Sequence, residues 1–235
     1  MIKLYILCHN AERFAAAKEI YSKYSWAVPI RMKYQDATQE NAFWRQLLEI
    51  ESEWADCEMV GTLSSVAHKK INLDAVDAVI RSKHLWETTG YFHFHDTTLP
   101  LSVPPHDFHP HLRKIAEDIL HLLGLPLPTE NWCNYFMARP AYMKEFIYWF
   151  FVTLKPLVMN HPLSYTHAHY NGAGTKPLEA EECIARFGVP YYPHHIFVFE
   201  RLNKVFFTNR EAILASRGPG FQKMIELPKK QETDS

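Results

Sequence analysis

Apolar residues follow two kinds of spacing along this chain, and together these predict strands that alternate with helices. Short apolar runs are typical of buried strands, and the first of them is IKLYILC at residues 2–8. Helical spacing follows at once in Phe14, Ala17, Tyr21 and Tyr24, after Asn10 as a candidate cap. This alternation favours an α/β fold with a mainly parallel sheet flanked by helices.

The remaining elements keep the same order. The later predicted strands are VPIRMKY, CEMVGTL, GYFHFHD and NWCNYFMA. Helices are predicted at about 38–54, from residue 72, from 112 to Gly124 after a proline-rich loop that includes Pro100, from Pro140 to Pro156, from Pro177 to about 188, and at about 194–206. We predict a single domain over residues 1–225 and a disordered polar tail over 226–235.

Charge and apolar content narrow the classes of protein. The formal net charge is −1, so no basic field predicts nucleic acid as a partner. The longest apolar run, Phe146 to Leu154, is far shorter than the about 20 residues that cross a bilayer, and no transmembrane segment or signal peptide is expected. The four cysteines show no CxxC spacing, which favours a reduced cytoplasmic setting.

The ends of the predicted strands suggest where a ligand binds. In open α/β sheets, ligands lie beyond the carboxyl ends of the strands. That rule selects Cys8, His9 and Asn10, the residues after Gly61, the pair 95–96 and the stretch 134–139. Asn10 has a simpler role open to it as a helix cap. The chain has no GxGxxG, so a dinucleotide-binding loop is not predicted.

Several histidines and one aspartate are candidate metal ligands among the 14 histidines of the chain. Asp96 ends the strand FHFHD, where a carboxylate could hold a divalent ion on a diphosphate or simply form a turn. The motif HDFHPH offers three histidines, but Pro110 interrupts their spacing, which favours surface histidines.

The stretch HAHYNGAGTKP, residues 167–177, has two interpretations. His169 could bind a metal, the glycines could let backbone N–H groups approach phosphate, and Lys176 could neutralise its charge. Alternatively the stretch is a loop that enters a helix at Pro177. Farther on, Glu200 in FVFERLNKVFF could be catalytic, could bind a sugar hydroxyl, or could pair with a basic residue.

Four fragments, taken in order, resemble glycosyltransferases of polysaccharide and capsule synthesis, including relatives in large DNA viruses. Members typically read Glu-Leu-Thr-x-x-Tyr-Trp, Gly-Leu-Cys-His-Tyr-Arg-Arg, Asn-x-Phe-Ile-Met and Glu-Arg-Leu. The positions of this chain that correspond are Glu40 with Phe43 and Trp44, Gly61, Asn134 to Met137, and Glu200 to Leu202. The likeness covers most of residues 1–207. The Arg-Arg pair is missing, with Val66 and Ala67 near its place and His68, Lys69 and Lys70 just beyond.

A second, shorter likeness concerns the stretch 167–177. It is similar to a late segment of retaining glycosyltransferases of the glycogenin and lipopolysaccharide galactosyltransferase type, where a histidine binds manganese and a lysine contacts the diphosphate. His169 and Lys176 match those two positions, with one extra residue before the lysine and with Leu178 in place of a tryptophan. The Asp-x-Asp metal motif of GT-A enzymes is absent from the sequence, and Asp96 is the nearest substitute.

These resemblances imply a GT-A-like hexosyl- or pentosyltransferase that moves a sugar from a nucleotide-diphosphate sugar to a glycan or polysaccharide acceptor. The implied catalytic residues are Glu200 and Asp96, and the implied ligands of Mn²⁺ or Mg²⁺ are Asp96 and His169. We expect the nucleotide sugar to contact Cys8, His9 and Asn10 at the end of the first strand, together with Asn134, Lys176 and Arg201. Two alternatives stay open: a non-catalytic nucleotide- or sugar-binding protein, and a histidine-rich metal-dependent hydrolase built on His167 and His169.

Overall fold

The computed structural model describes residues 1–94, 96–100, 109–131, 133–170 and 178–216, with backbone alone at 96–100 and 130–131. Lys176 and the predicted tail at 226–235 lie outside the described residues. None of the described helices is both long enough and apolar enough to cross a membrane.

Five strands form the central sheet. They are β1 (Ile2–Cys8), β2 (Ala27–Arg31), β3 (Met59–Ser64), β4 (Tyr91–His93) and, named β7 by its place in the chain, Phe136–Ala138. A separate pair, β5 (Asp96–Pro100) and β6 (Thr129–Asn131), forms a two-stranded antiparallel sheet. The proline-rich stretch therefore begins as a strand, although its prolines led us to expect a loop as far back as Pro100.

Strand direction makes the central sheet mixed. Its order is β2-β1-β3-β7-β4. The β1 strand runs parallel to β2 and β3, whereas β7 runs antiparallel to both β3 and β4. The predicted α/β class is confirmed, but a mainly parallel sheet is not, because β7 opposes both of its neighbours. Apolar periodicity identifies strands without giving their direction, so the sequence pattern could not distinguish the two arrangements.

Gly61 explains how closely β7 lies against β3. A side-chain carbon at residue 61 would meet the Phe136 carbonyl oxygen at 2.1 Å and the Met137 Cα at 2.7 Å. Only glycine leaves room for that approach of one backbone to another. The glycine therefore lets β7 pair with β3, and this pairing brings the residues just before β7 to the end of β3.

Within the described ranges, nine labelled helices surround the sheet. They are α1 (Ala11–Ile20), α2 (Phe43–Glu49), α3 (Glu51–Trp54), α4 (Leu73–Arg81), α5 (Leu112–Leu123), α6 (Pro140–Trp149), α7 (Lys155–Asn160), α8 (Ala180–Phe187) and α9 (His194–Thr208). Short 3₁₀ turns occupy Gln39–Ala42, Ala67–Lys69 and Lys83–Leu85, and a further helical segment covers 210–216. Asn10 and Asn72 cap α1 and α4 with their side chains, and α9 begins where the sequence predicted it.

The helix predicted to end at Pro156 continues past it. A π-helical segment, Phe150–Leu154, joins α6 to α7, and Pro156 occupies the second position of α7. A proline inside an α-helix removes one hydrogen bond and clashes with the carbonyl four residues earlier. In the π-helical segment just before the proline, backbone hydrogen bonds join residues five apart instead of four apart. Such segments are a usual way for a helix to accommodate an irregularity. The proline thus marks an irregular turn rather than the end of the helix.

Alternation along β1 divides the core between the two faces of the sheet. Tyr5 and Leu7 point to one face, which is covered by α2, α5, α6 and α9, while Leu4 and Ile6 point to the other, which is covered by α1 and α4. Burial of both faces accounts for the unbroken apolar run from Leu4 to Cys8 in this strand.

Candidate active site

One edge of the sheet gathers the ends of several strands. Because β7 opposes its neighbours, β4 runs in the same direction as β1 and β3. The carboxyl ends of β1, β3 and β4 therefore meet the amino end of β7 at this edge. The nominated stretch 134–139 is split, since Asn134 precedes β7 at this edge while Arg139 lies at the opposite one, where its backbone N–H donates to the Gly90 carbonyl at 2.9 Å.

Glu200, on α9, places a carboxyl group at this edge. The Cys133 backbone N–H, just before β7, donates to it. The Glu200 side chain is 21% exposed, and the buried Arg201 places Nη1 3.7 Å from Glu200 Oε2. Burial raises the pKa of Glu200 to about 7, although Arg201 opposes this effect. A carboxyl group with a pKa near neutrality can both accept and release a proton under physiological conditions.

A second carboxylate, Glu40, lies in the same cluster. It belongs to the 3₁₀ turn Gln39–Ala42, and its Oε1 lies 3.8 Å from His9 Nε2, just beyond β1. Both side chains are largely shielded, at 18% exposure for Glu40 and 22% for His9. The charge of Glu40 also raises the pKa of Glu200, since two carboxylates in one site disfavour ionising together. The negative charge of Glu40 thus favours the protonated form of Glu200.

Lys70 completes the cluster from the loop after β3. It is an exposed residue whose ammonium nonetheless lies 3.4 Å from the Sγ of buried Cys133 and 5.9 Å from the centre of the Tyr135 ring. Burial lowers the pKa of this ammonium, but Cys133, Glu200 and Glu40 together outweigh burial and raise it. Lys70 therefore carries its positive charge at neutral pH.

Two residues beside the cluster have left-handed backbones. Gln39, next to Glu40, has φ of 55°, and Cys133, which bonds Glu200, has φ of 70°. This conformation costs residues other than glycine on the order of 1 kcal/mol, and such residues concentrate at functional sites. At Cys133 the unusual φ accompanies the backbone hydrogen bond to the Glu200 carboxyl. Local strain therefore coincides with the place where the charged groups meet.

Cys8 and Asn10, two of the expected nucleotide contacts, have structural partners. Cys8 is fully buried at the end of β1, where its Sγ donates to the Ile6 carbonyl at 3.2 Å and burial raises its pKa to about 11. The exposed Asn10 accepts the Arg13 backbone N–H on its Oδ1 at 2.8 Å, as a helix cap does. Among the three consecutive residues 8–10, His9 is the one whose side chain turns toward Glu40.

Asn134 joins the edge of the sheet to α9. Its side chain is buried, and its Oδ1 accepts a hydrogen bond from Asn203 Nδ2 at 2.8 Å. Its carbonyl oxygen accepts the Thr62 hydroxyl at 2.7 Å. Through these bonds Asn134 fixes α9, and with it Glu200, relative to β3.

The structure does not bring the expected metal ligands together among its described atoms. His169 is exposed, has φ of 52°, and stacks on His167 with ring centres 4.5 Å apart. Asp96 is the first residue of β5, and its side chain, like all of Lys176, lies outside what is described. Within the described part of the chain, no three His, Cys, Asp or Glu side chains converge as metal ligands would.

A second group of histidines packs around the start of α9. His194 Nδ1 donates to the Thr166 carbonyl at 2.9 Å, and its Nε2 accepts the His111 backbone N–H at 3.3 Å. These two bonds require the neutral ring, and burial lowers the pKa of His194 to about 4. His109 stacks on Phe197 at 4.0 Å, and burial lowers its pKa to about 4 as well. These rings serve as neutral packing groups.

The resemblance and the strand-end rule covered this cluster unevenly. Glu200, Arg201 and His9 were named as site residues, whereas Lys70 fell within the nominated residues after Gly61 without a role. Glu40 matched a motif but had no assigned chemistry. The signal for Lys70 was a charged residue just beyond a buried strand, which is the position the rule singles out.

Comparison with family models, with curated proteins and with solved structures finds no match to this chain.

Proposed function

We propose that the protein is a GT-A-like glycosyltransferase, which moves a hexosyl or pentosyl group from a nucleotide-diphosphate sugar to a glycan or polysaccharide acceptor. The observation that carries the proposal is the Glu200 carboxyl, with its pKa near 7, among Glu40, Lys70 and Arg201 at the ligand-binding edge of an α/β sheet. Glu200 also begins the Glu-Arg-Leu motif of the resemblance.

Glu200 supplies a base for the transfer. As the acceptor oxygen bonds to the anomeric carbon, its proton passes to the Glu200 carboxylate. The bond from the anomeric carbon to the diphosphate oxygen breaks, and the nucleoside diphosphate leaves with the electron pair. A base with a pKa near the working pH combines a useful ionised fraction with useful basicity. Arg201 and the Cys133 backbone N–H keep part of the Glu200 population ionised, since both lower its pKa.

His9 and Asn10 border the nucleotide side of this proposed centre, with Cys8 behind them. Asp96 and His169 would hold Mn²⁺ or Mg²⁺, and Lys176 would meet the diphosphate. The exposed ring of His169 is accessible to such an ion, and one carboxylate with one histidine fits a site completed by phosphate oxygens and water. A bound divalent ion would neutralise charge that develops on the departing diphosphate.

A thermal-shift screen of UDP and GDP, each with and without Mn²⁺, tests the proposal. We expect one nucleotide to raise the melting temperature and Mn²⁺ to enlarge the effect, because a ligand that binds only the folded state stabilises it. No response to either nucleotide or to any nucleotide sugar would contradict the transferase. The protein could bind a nucleotide and yet release no nucleoside diphosphate from any sugar donor with any of a panel of glycan acceptors. That result would favour the non-catalytic binding protein. Phosphoester hydrolysis with tightly bound zinc would favour the hydrolase.

A further inference from the structure

Lys70 differs from the other charged members of the cluster in its exposure. Glu40 and Glu200 are largely shielded, at 18% and 21% exposure, and Arg201 is buried at 2%. Lys70 alone among these four is an exposed residue. Of the two cations, Lys70 is therefore the residue more accessible to a ligand from solvent.

The ammonium of Lys70 has hydrogen-bonding capacity left for a ligand. It carries three N–H donors, and its hydrogen bond is to the sulfur of Cys133, which is a weak acceptor. Among the described residues, no carboxylate oxygen lies within 4.0 Å of its nitrogen, and the Tyr135 ring centre is 5.9 Å away. The two glutamates therefore act on Lys70 at longer range and hold it charged without using its donors.

The surrounding charges decide which ligand suits this position. Glu40 and Glu200 would repel a diphosphate, and buried Arg201 offsets part of that repulsion from within. A second cation makes binding of an anion more favourable, and Lys70 is the more exposed cation of the cluster. An ammonium is a compact point charge that commonly binds phosphate oxygens.

We propose that Lys70 binds the diphosphate of the nucleotide ligand through hydrogen bonds from its ammonium to phosphate oxygens. The inference rests on the proposed function and identifies a contact in addition to Lys176. In the transfer, the same ammonium would stabilise the negative charge that grows on the departing diphosphate oxygen. A group that meets the ligand's phosphates but not its base contributes to affinity for the nucleotide and not for the nucleoside.

Calorimetric titration of UDP, GDP, their nucleosides and inorganic pyrophosphate tests this on four proteins: wild type, Lys70→Met, Lys70→Arg and Lys69→Met. Lys69 is a neighbouring lysine that is also exposed, and its variant removes the same net charge. We expect Lys70→Met to weaken binding of the favoured diphosphate by about 10- to 100-fold and to leave nucleoside binding unchanged, since a charge-assisted hydrogen bond is lost. Lys70→Arg should keep most of the affinity, and Lys69→Met should match wild type.

Three results would overturn the role of Lys70. They are unchanged diphosphate binding by Lys70→Met, an equal loss of nucleoside binding, and a wild type that binds neither diphosphate nor pyrophosphate. Because binding is measured without turnover, the proposed function fails separately. A wild type that binds diphosphate through Lys70 yet transfers no sugar would contradict the transferase and keep the binding role.

Discussion

Two polar regions lie along helix α9 and differ in their charge. At its first residue, His194 packs against His111, and the neutral rings of His194 and His109 bond through their ring nitrogens to backbone groups. Six residues later, about 9 Å along the helix axis, Glu200 and Arg201 meet within 3.7 Å. The buried histidines of the first region are neutral. The second region holds acidic and basic groups close together.

That difference separates residues that pack as neutral groups from residues that are candidates for proton transfer. Histidine clusters drew attention in the sequence, yet the described rings at the start of α9 are held by hydrogen bonds that specify one protonation state. The charged cluster contains fewer and commoner residues, but a titrating carboxyl group near pH 7 suits proton transfer. The strand-end rule led to His9 and Lys70 of this charged cluster, whereas the abundance of histidines did not.

The first prediction compares two neighbouring histidines. His169→Ala should lower transfer by about 10- to 100-fold and raise the Mn²⁺ concentration needed, because it removes a proposed metal ligand. His167→Ala, which removes the ring stacked on it, should change transfer little. Initial rates over a Mn²⁺ series measure both variants. Equal losses in the two variants would assign the pair a packing role instead.

Glu200→Gln should stabilise the fold in alkali. The pKa of Glu200 is raised from 4.5 to about 7 in the folded state, so folding favours its proton and stability declines as pH rises between those values. Glutamine does not titrate and removes that decline. Relative to wild type, we expect the free energy of unfolding of the variant to be higher at pH 8 than at pH 4.5 by roughly 1 to 3 kcal/mol. Urea unfolding at four pH values measures it, with exposed Glu211→Gln as the control. Parallel curves for the two variants would contradict the account.

The histidine region should give the opposite pH dependence. His109 and His194 have folded pKa values of about 4, below the ordinary histidine value of 6.5, so the unfolded chain binds more protons as pH falls from 6.5 to 4. Each such histidine should cost up to about 1.4 kcal/mol of stability per pH unit in that window. His109→Asn should reduce the slope of the free energy of unfolding against pH by the contribution of about one proton. The asparagine amide can still donate to the Ala168 carbonyl but does not titrate. An unchanged slope would show that this ring does not titrate with unfolding.

The smallest effect concerns the charge balance around Glu200. Lys70 lowers the pKa of Glu200, so Lys70→Met should move the ionisation of Glu200 to higher pH. The acidic limb of the transfer rate against pH should shift upward with it. Lys69→Met is the control. If its pH profile shifts as far as the profile of Lys70→Met, general surface charge rather than the position of Lys70 is responsible.

Local sequence patterns predicted the elements better than their assembly. Periodicity identified β1 and α9, and Asn10 was foreseen as a cap because its chemistry is local. The direction of β7 and the continuation of the helix past Pro156 depend on tertiary packing and on a π turn, which no local spacing encodes.

The members of the candidate site followed from the sequence only in part. Glu200 and His9 followed from motif and strand-end reasoning, but their neighbours Glu40 and Lys70 are distant in the chain. Lys70 approaches Glu200 because β7 pairs with β3 over Gly61 and brings Cys133 between these two residues. Long-range pairing of this kind has no signature in one sequence. Asp96 and His169 keep their proposed metal role as a prediction.

The most direct measurement is the release of nucleoside diphosphate from the sugar donor that stabilises the wild type, compared among wild type, Glu200→Gln and Glu211→Gln at pH 7. Loss of a general base costs roughly 100- to 10,000-fold in rate. We predict a loss in that range for Glu200→Gln, with intact folding and nucleotide binding, and wild-type turnover for Glu211→Gln. Turnover by Glu200→Gln at the wild-type rate would contradict the central claim that this carboxyl group is the acid–base centre.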